Sequence, residues 1–344
     1  RFPGVVRRRR RLATPPQAAT AGRLSTGPSC ESPRAVVAFH AAGMNALART
    51  ALVRVPSALH EPVRLFHGAA VERPEWEALS PLERRRLFVR ARYGSLQSEC
   101  VVSGTSAAAL WGLPDFDATD WRLHVIDVRL DKTHTGRGVV RHAGRIRNGE
   151  RVVVDGIPTT SLDRTVLDIA RRQSFTHAVV VLDHVLRSAL VSREGLVAAL
   201  DALGPPGRLR GCRQAAAAID FADARAESPG ESISRVTARD LGGPAPELQR
   251  EFETPLGRFR TDFWWPDAGV IGEFDGRLKY DDPRALWDEK NREDALRRDP
   301  EVRGFARWTM RQAADARALA AVLSAAGLPL FRAAPIGARR QPGS

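Results

Sequence analysis

Cysteines and long apolar runs are scarce in this chain, and its C-terminal part has no histidine. Each shortage excludes a class of protein or site. The three cysteines are far apart and form no CxxC pair, which excludes a disulfide framework and predicts a reducing, cytoplasmic setting. No apolar run approaches the roughly 18 residues that span a bilayer, so we expect no membrane segment. All eight histidines lie at or before His184, so the C-terminal part has none for a zinc site or a histidine base.

Arginine, by contrast, is abundant and gives the chain its charge. Over 344 residues the formal net charge is +13, and lysine contributes only Lys132, Lys279 and Lys290 to the 53 basic residues. This excess favours a polyanionic partner, most often nucleic acid. GC-rich coding accounts for the same bias, and composition alone leaves both explanations open. The length and the 43% of apolar residues predict two or three domains with a sizeable core.

Both ends of the chain have the composition of disordered segments. Residues 1–43 form an arginine-rich tail that contains no acid before Glu31 and cannot bury a core, and residues 329–344 form a second tail. The first tail has three open interpretations: a nucleic-acid-binding arm, an organellar transit peptide, or a translated upstream region, since the first methionine is Met44.

Capping residues and periodicity predict helices and strands between residues 80 and 226. The stretch SPLERRRLFVRARYG, residues 80–94, predicts a helix that begins with a capping box of Ser80 and Glu83. The stretch SGTSAAALWGLP, residues 103–114, predicts a short helix capped by a hydroxyl group. Further along, the pattern predicts strands at 121–130 and 151–161, two helices within 161–190, a hinge at 204–211 and a helix to about 226.

The last compact block, residues 228–328, has the predicted element order α-β-β-β-α-β-α. Its first helix is capped by Ser228, and tight turns at 255–257 and 266–269 separate three strands. The block is completed by a helix at 282–298, a fourth strand at 302–310 and a closing helix at 313–327. The predicted fold class of the whole chain is therefore mixed α/β.

Three carboxylates are predicted to meet at one end of this sheet. Asp262 lies on the second strand, while Glu273 and Asp275 share one face of the third, across a short turn. Because paired strands lie about 5 Å apart, these side chains can converge. Carboxylate oxygens suit a hard cation such as Mg²⁺ or Mn²⁺, which activates water and neutralises a scissile phosphate. Lys279 or Lys290 could then orient the water or contact the phosphate.

The motif TDFWWPDAGVIGEFDGRLKY, followed by EKNREDALRRDPEVRGFARW, resembles the PD-(D/E)XK nucleases, in particular the very-short-patch repair endonucleases. The resemblance covers about residues 228–328. It implies a restriction-endonuclease-like fold for this block. It also implies Mg²⁺-dependent hydrolysis of DNA, with Asp262 and Glu273 as metal ligands.

The chain departs from that family pattern two residues after Glu273. Asp275 stands where the family usually has lysine, so Lys290 on the next helix, ahead of Lys279, is the candidate electrostatic stabiliser. Asp275 would be a further ligand or would orient the ligands. Glu231 matches an acid that the first helix of the family often contributes. The missing lysine leaves catalytic competence open.

Ordinary structural roles explain several of the same residues. Glu231 follows Ser228 at the spacing of a capping box, and Asp275 precedes a glycine, as a turn residue does. Asp262 and Glu273 are flanked by apolar residues, where an unpartnered acid is costly, and this favours the metal site. The other candidates fit ordinary positions: Trp264 and Trp265 in the core, and the pairs Lys290–Asp294 and Glu293–Arg297 on a helix surface.

The stretches LQSECVVSGTSAAALWGLP and TTSLDRTVLDIARRQSF resemble AbiEi-type antitoxins of bacterial type IV toxin–antitoxin systems. The resemblance covers roughly residues 64–200 and implies a cognate toxin as a partner. With it, the region divides into a partial winged-helix-like remnant at 44–95, an AbiEi-like α/β domain at 96–200, and a linker with a helix at 201–227. We recognise no DNA-reading helix before the stretch RLFHGAAV, residues 64–71.

The sequence therefore predicts a cytoplasmic bacterial protein with a regulator-like first half and a nuclease-like last domain. The predicted function is metal-dependent hydrolysis of phosphodiester bonds in DNA, in a defence, repair or toxin–antitoxin setting. The alternative is a non-enzymatic DNA-binding antitoxin or transcriptional regulator with an inactivated nuclease fold, and an RNA-directed protein is a third interpretation. DNA, a cognate toxin and a second copy of the chain are the partners that we keep open.

Overall fold

The computed structural model describes residues 59–115, 120–203, 209–276 and 283–331. The tail predicted at 1–43, Lys279, most of the hinge at 204–211 and most of the tail at 329–344 lie outside these residues. Within the described ranges, no helix combines the length and the apolar character needed to cross a membrane.

A small hairpin and two helices open the described chain. Strands β1 and β2 pair antiparallel, and the second helix, α2, begins with the predicted capping box. Ser80 Oγ accepts a hydrogen bond from the Glu83 backbone at 3.3 Å, and the Glu83 carboxylate accepts one from the Ser80 backbone at 2.8 Å. The bounds are Pro62–Phe66 for β1, Ala69–Glu72 for β2, Arg73–Glu77 for α1 and Pro81–Gly94 for α2.

A six-stranded mixed sheet follows, with the strand order β5-β6-β4-β3-β8-β7. Two pairs, β4 with β6 and β3 with β8, are parallel, and the other neighbours are antiparallel. The strands are Val101–Val102 (β3), Leu123–Asp127 (β4), His134–Gly136 (β5), Val139–Ala143 (β6), Arg151–Val154 (β7) and Ile157–Thr160 (β8).

Five further helices pack with this sheet around the first hydrophobic core, to which Phe88 and Val89 of α2 also belong. Helix α3 buries an unbroken run, residues 106–111, and its Trp111 indole is fixed by a 2.9 Å hydrogen bond from Nε1 to the Thr160 carbonyl. The helices are Gly104–Trp111 (α3), Leu162–Arg172 (α4), Phe175–Arg187 (α5), Arg193–Asp201 (α6) and Cys212–Phe221 (α7).

Three local predictions in this half were wrong. Residues 151–161 form a hairpin rather than one strand, because Asp155 and Gly156 adopt positive φ angles of 51° and 78° and reverse the chain. Ser103 precedes α3 but its hydroxyl makes no capping hydrogen bond. The helix expected to reach about residue 226 ends at Phe221.

The C-terminal block has the predicted order α-β-β-β-α-β-α, except that the closing helix is interrupted. Asp315 ends the first piece and caps the second by accepting hydrogen bonds from the Arg317 and Ala318 backbones at 2.9 and 3.2 Å. The elements are Pro229–Asp240 (α8), Glu247–Thr254 (β9), Gly257–Trp265 (β10), Val270–Asp275 (β11), Pro283–Arg297 (α9), Gly304–Thr309 (β12), Met310–Ala314 (α10) and Ala316–Ala325 (α11).

The four strands of this block form one sheet in the order β12-β11-β10-β9, in which β11 and β12 are parallel. Alternation along β10 separates two apolar layers: Phe263 and Trp265 pack with Trp308 in one, and Trp264 packs with Ile271 in the other. Both β10 tryptophans are therefore core residues, as the sequence predicts.

Helices α5 and α8 join the two halves of the molecule. Val180 of α5 belongs to the core of the C-terminal block, whereas Val236 of α8 belongs to the first core. Between them, Arg235 donates two hydrogen bonds from Nη2 to the Asp183 carboxylate, at 3.0 and 3.1 Å, and both side chains are buried. The junction is thus a packed interface with a buried ion pair.

Candidate functional site

Asp262 and Glu273 are neighbours on paired strands, as the hairpin spacing predicts. Phe263 of β10 pairs with Gly272 of β11, which places the two acids opposite each other at the next position. The Phe274 backbone N–H donates a 2.8 Å hydrogen bond to Asp262 Oδ2 and fixes that carboxylate against β11. Tertiary structure thus brings together two acids that are eleven residues apart in the sequence.

Glu273 is held by arginines rather than left open. Its side chain is buried, and Arg292 of α9 donates from Nη2 to Oε1 at 2.6 Å and from Nη1 to Oε2 at 2.9 Å. Arg307 of β12 approaches Oε2 at 3.3 Å. A further bond of 2.7 Å from Arg292 Nη2 to the Arg260 carbonyl fixes the guanidinium in place. Both Glu273 oxygens therefore have charged partners with good geometry.

A second set of acids surrounds these arginines. Glu289 Oε1 accepts from Arg307 at 2.6 Å and from Arg292 at 3.1 Å, so one oxygen bridges the two guanidinium groups. Asp275 Oδ2 lies 3.7 Å from Arg307 Nε, and Glu293 Oε2 lies 3.5 Å from Arg307 Nη2. The result is an alternating network of carboxylates and guanidinium groups on one face of the sheet.

Arginines, and no third acid, contact the predicted metal ligands Glu273 and Asp275. Arg292 engages both oxygens of Glu273, and Asp275 lies beside Arg307. In the described part of the chain, no cluster of three or more acidic, histidine or cysteine side chains is placed to hold a metal ion. The binding of Mg²⁺ or Mn²⁺ by Asp262, Glu273 and Asp275 therefore stays a prediction, which requires these arginines to move.

Asp262 is the acid in this group with the most perturbed titration. Its pKa is raised to about 6, first by burial and then by the nearby carboxylates of Glu231 and Glu273, while the Phe274 backbone hydrogen bond opposes the shift. For Asp275, burial also raises the pKa, against the favourable charge of Arg307. Burial is thus the main cause of both shifts.

Glu231 has the local role that its spacing with Ser228 predicts. Ser228 Oγ accepts from the Glu231 backbone at 3.2 Å and donates to Glu231 Oε1 at 2.7 Å, and the Glu227 backbone donates to Oε2 at 2.9 Å. Gln249 adds a third donor at 3.0 Å. The carboxylate is thus committed to the beginning of α8, and its predicted catalytic role stays a prediction.

Among the described residues, the cations that contact Glu273 are arginines. Lys290 is exposed on α9, whereas Arg292, two residues later, reaches Glu273. Two sequence signals could have found the arginines: Arg292 follows Glu289 by three positions on a helix, and Arg307 alternates with buried residues of a strand that pairs with β11. The predicted surface pair Glu293–Arg297 is confirmed, with N–O distances of 2.6 and 2.9 Å.

The middle of the chain matches a known protein family. Residues 100–213 match the family described as AbiEi antitoxin C-terminal domain. The match runs from β3 to the beginning of α7, and it confirms the AbiEi-like character that the sequence predicted for this region. It does not reach the C-terminal block, where the resemblance to nucleases stays a prediction.

Two relatives come from Mycobacterium tuberculosis. They are named Uncharacterized protein MT2308, from strain CDC 1551 / Oshkosh, and Uncharacterized protein Rv2248, from strain ATCC 25618 / H37Rv. Each is 32% identical to this chain over 192 residues, which cover 54% of this chain and 66% of the relative. The match thus spans slightly less than two thirds of each relative. No solved structure matches the chain.

Proposed function

We propose that the chain is a DNA-binding, antitoxin-type protein of a toxin–antitoxin or defence system, and that its C-terminal block does not hydrolyse DNA. The observation that carries the second part is the two-point ion pair between Arg292 and Glu273. A carboxylate whose two oxygens both accept charged hydrogen bonds has little capacity left to act as a metal ligand. Removing Arg292 would leave the buried Glu273 carboxylate with only the weaker Arg307 contact, so the pair is not readily given up.

Two further observations support the first part of this proposal. The AbiEi match over residues 100–213 covers most of the first core, and AbiEi names an antitoxin family. The formal net charge of +13 favours a polyanion, and DNA is the polyanion that a regulator of this type binds. A cognate toxin is the second partner that an antitoxin family implies.

A second candidate function, metal-dependent cleavage of DNA, is favoured by one specific observation. Asp262 lies opposite Glu273 and has a pKa raised to about 6, and perturbed acids of this kind cluster at active sites. The predicted order of elements is also the order that the nuclease resemblance implies. For this function to hold, Arg292 would have to leave Glu273 when the cation binds.

Cleavage and binding assays with one pair of variants separate these functions. Wild type, Glu273→Gln and the control Asp288→Asn, which changes an exposed acid of α9 outside the network, are compared on supercoiled, linear and single-stranded DNA with millimolar Mg²⁺ or Mn²⁺. We expect DNA binding by all three proteins, no cleavage, and no increase in melting temperature on addition of metal. Cleavage by wild type that Glu273→Gln loses and Asp288→Asn keeps would establish the nuclease and overturn our proposal.

The toxin partner requires its own experiment. We expect the chain to co-purify with the product of an adjoining gene and to restore growth of cells that express that product alone. Growth rescue should survive Glu273→Gln, because the proposal assigns no catalysis to that residue. Self-association into a dimer stays a prediction, which light scattering of the purified chain tests.

A further inference from the structure

A basic cleft lies in the first half of the molecule, far along the chain from the carboxylate site. Its walls are the end of α2 with the segment that follows it, and the hairpin of β5 and β6. Its volume is about 750 Å³, and it is lined by Arg92, Ser95, Leu96, Gln97, Ser98, His134, Gly136, Arg137, Val139 and Arg141. Three arginines and no acid are among these described lining residues, so the cleft carries positive charge.

Arg92 has no carboxylate partner among the described residues. Its guanidinium donates to two neutral oxygens, Ser95 Oγ at 3.3 Å and the Arg137 carbonyl, and it lies over the Phe66 ring at 4.7 Å. Its Nε is buried and makes no hydrogen bond in the described structure. Arg92 thus links the β5–β6 hairpin to the end of α2. Its positive charge has no acidic partner at the cleft among the described residues.

The other two arginines are also poorly neutralised. Arg141 donates to Ser98 Oγ at 3.0 Å and lies 3.6 Å from Asp127, but Asp127 already accepts two bonds of 2.9 Å from the exposed Arg129. Arg137 is exposed at the tip of the hairpin, with φ of +49°. It makes no ion pair with any side chain that the structure describes. Arg129 and Arg141 therefore share Asp127. Arg92 and Arg137 have no carboxylate partner among the described residues.

This arrangement suits phosphate groups. Arginine presents planar donors that match phosphate oxygens, and Ser98 adds a hydroxyl group beside Arg141. Strand β5 is the edge of its sheet and all three of its residues are exposed, so an extended ligand can lie along the hairpin. We propose that this cleft binds the sugar–phosphate backbone of duplex DNA. The proposal rests on the DNA-binding function proposed above and locates part of that binding on the AbiEi-like half.

The test measures DNA affinity against salt concentration by fluorescence anisotropy. The double variant Arg137→Gln/Arg141→Gln should reduce the magnitude of the slope of log affinity against log salt by about 2, because each lost phosphate contact removes roughly 0.9. The charge-preserving Arg137→Lys/Arg141→Lys should keep the wild-type slope. Arg213→Gln, an exposed position of α7 that does not line the cleft, is the control and should change the slope by less than the double variant. Thermal melting shows whether each variant is folded.

Three results would overturn this proposal in distinguishable ways. Equal slopes for folded wild type and double glutamine variant would remove DNA from the cleft while leaving DNA binding elsewhere intact. Stabilisation of wild type, but not of the double variant, by inorganic phosphate, with unchanged DNA slopes, would make the cleft a small-anion site. Failure of the wild type to bind duplex DNA at low salt would overturn the proposed function together with this extension of it.

Discussion

Arg292 on a helix and Glu273 on a buried strand form a two-point ion pair, with N–O distances of 2.6 and 2.9 Å. The acid is only 6% exposed, so little solvent reaches its carboxylate. In water the carboxylate would be stabilised by solvent, but here the guanidinium replaces that solvent almost completely. The pair therefore ties helix α9 to strand β11 and contributes to the structure at the candidate site.

Arg292→Ala should destabilise the protein strongly, because it leaves a buried carboxylate with one weaker partner. We expect a loss of about 3 kcal/mol in the free energy of unfolding, measured by urea denaturation. Adding Glu273→Gln to Arg292→Ala should recover part of that loss, since it removes the stranded charge. Arg297→Ala breaks an exposed pair on the same helix and should cost less than about 1 kcal/mol. Equal losses from Arg292→Ala and Arg297→Ala would contradict this account.

Asp262 should make stability depend on pH in the opposite sense to an ordinary salt-bridged acid. Its pKa in the folded protein is about 6, compared with 3.8 ordinarily, so the folded state binds the proton more tightly. The contribution of Asp262 to stability is therefore largest below about pH 4 and is lost as pH rises to about 6. Asp262→Asn should remove that loss. Its free energy of unfolding at pH 8 should therefore exceed that of wild type by up to about 3 kcal/mol. Chemical denaturation at pH 4 and pH 8 checks it, and a wild-type advantage at pH 8 would count against it.

Two stacked histidines predict a separate pH effect in the AbiEi-like half. His124 Nδ1 lies 3.0 Å from His142 Nε2, and His124 Nε2 lies 3.1 Å from Asp120. Burial and the charge of Arg172 lower the pKa of His142 to about 4. The unfolded chain takes up this proton near pH 6.5 and the folded chain does not, so stability falls as pH falls from about 6.5 to 4.

Replacing His142 should flatten this acid-side decline. For His142→Gln we expect a smaller loss of melting temperature between pH 7 and pH 5, equivalent to on the order of 1 kcal/mol after allowance for solvent screening. His67→Gln changes an exposed histidine of the first hairpin and should leave the decline as in wild type. A decline that is the same in all three proteins would show that the histidine pair does not cause it.

Gly304 should tolerate no side chain, because its strand passes close to the backbone of Ala326, directly after α11. A Cβ at this position would meet the Ala326 carbonyl oxygen, a backbone atom that cannot rotate away. We expect Gly304→Ala to lower the free energy of unfolding by about 2 kcal/mol or more. Gly94→Ala is the matched control: it lies in a helix with open space around its Cβ and should stabilise the protein slightly, by up to about 1 kcal/mol. Similar melting temperatures for both variants would disprove the close approach.

Local signals predicted most elements, and the misses have identifiable causes. The capping box at Ser80 and the order of elements after Ser228 follow from rules that act over a few residues, so they were predictable. The hairpin at Asp155–Gly156 is also encoded locally, by the Asp-Gly turn signal, although the apolar run around it predicts one long strand. Reading that dipeptide as a turn would have corrected the assignment.

The partners of the carboxylates could not be predicted in the same way. Sequence spacing across the β10–β11 hairpin places Asp262 beside Glu273, because strand geometry fixes that distance. Arg292 and Arg307 reach Glu273 from 19 and 34 residues away, and their approach depends on how α9 lies on the sheet. A count of acids therefore suggested a cation site, while tertiary packing supplied guanidinium groups as the counter-charge.

The buried pair of Asp183 and Arg235 has a consequence for how this chain can change over evolutionary time. A substitution at either position strands the other charge in an apolar junction, so acceptable changes must come in pairs. Because Val180 and Val236 each complete the core of the opposite half, an exchange of one half for a homologous one would also have to match these contacts. A change in either half of the molecule therefore acts on the stability of both through this junction.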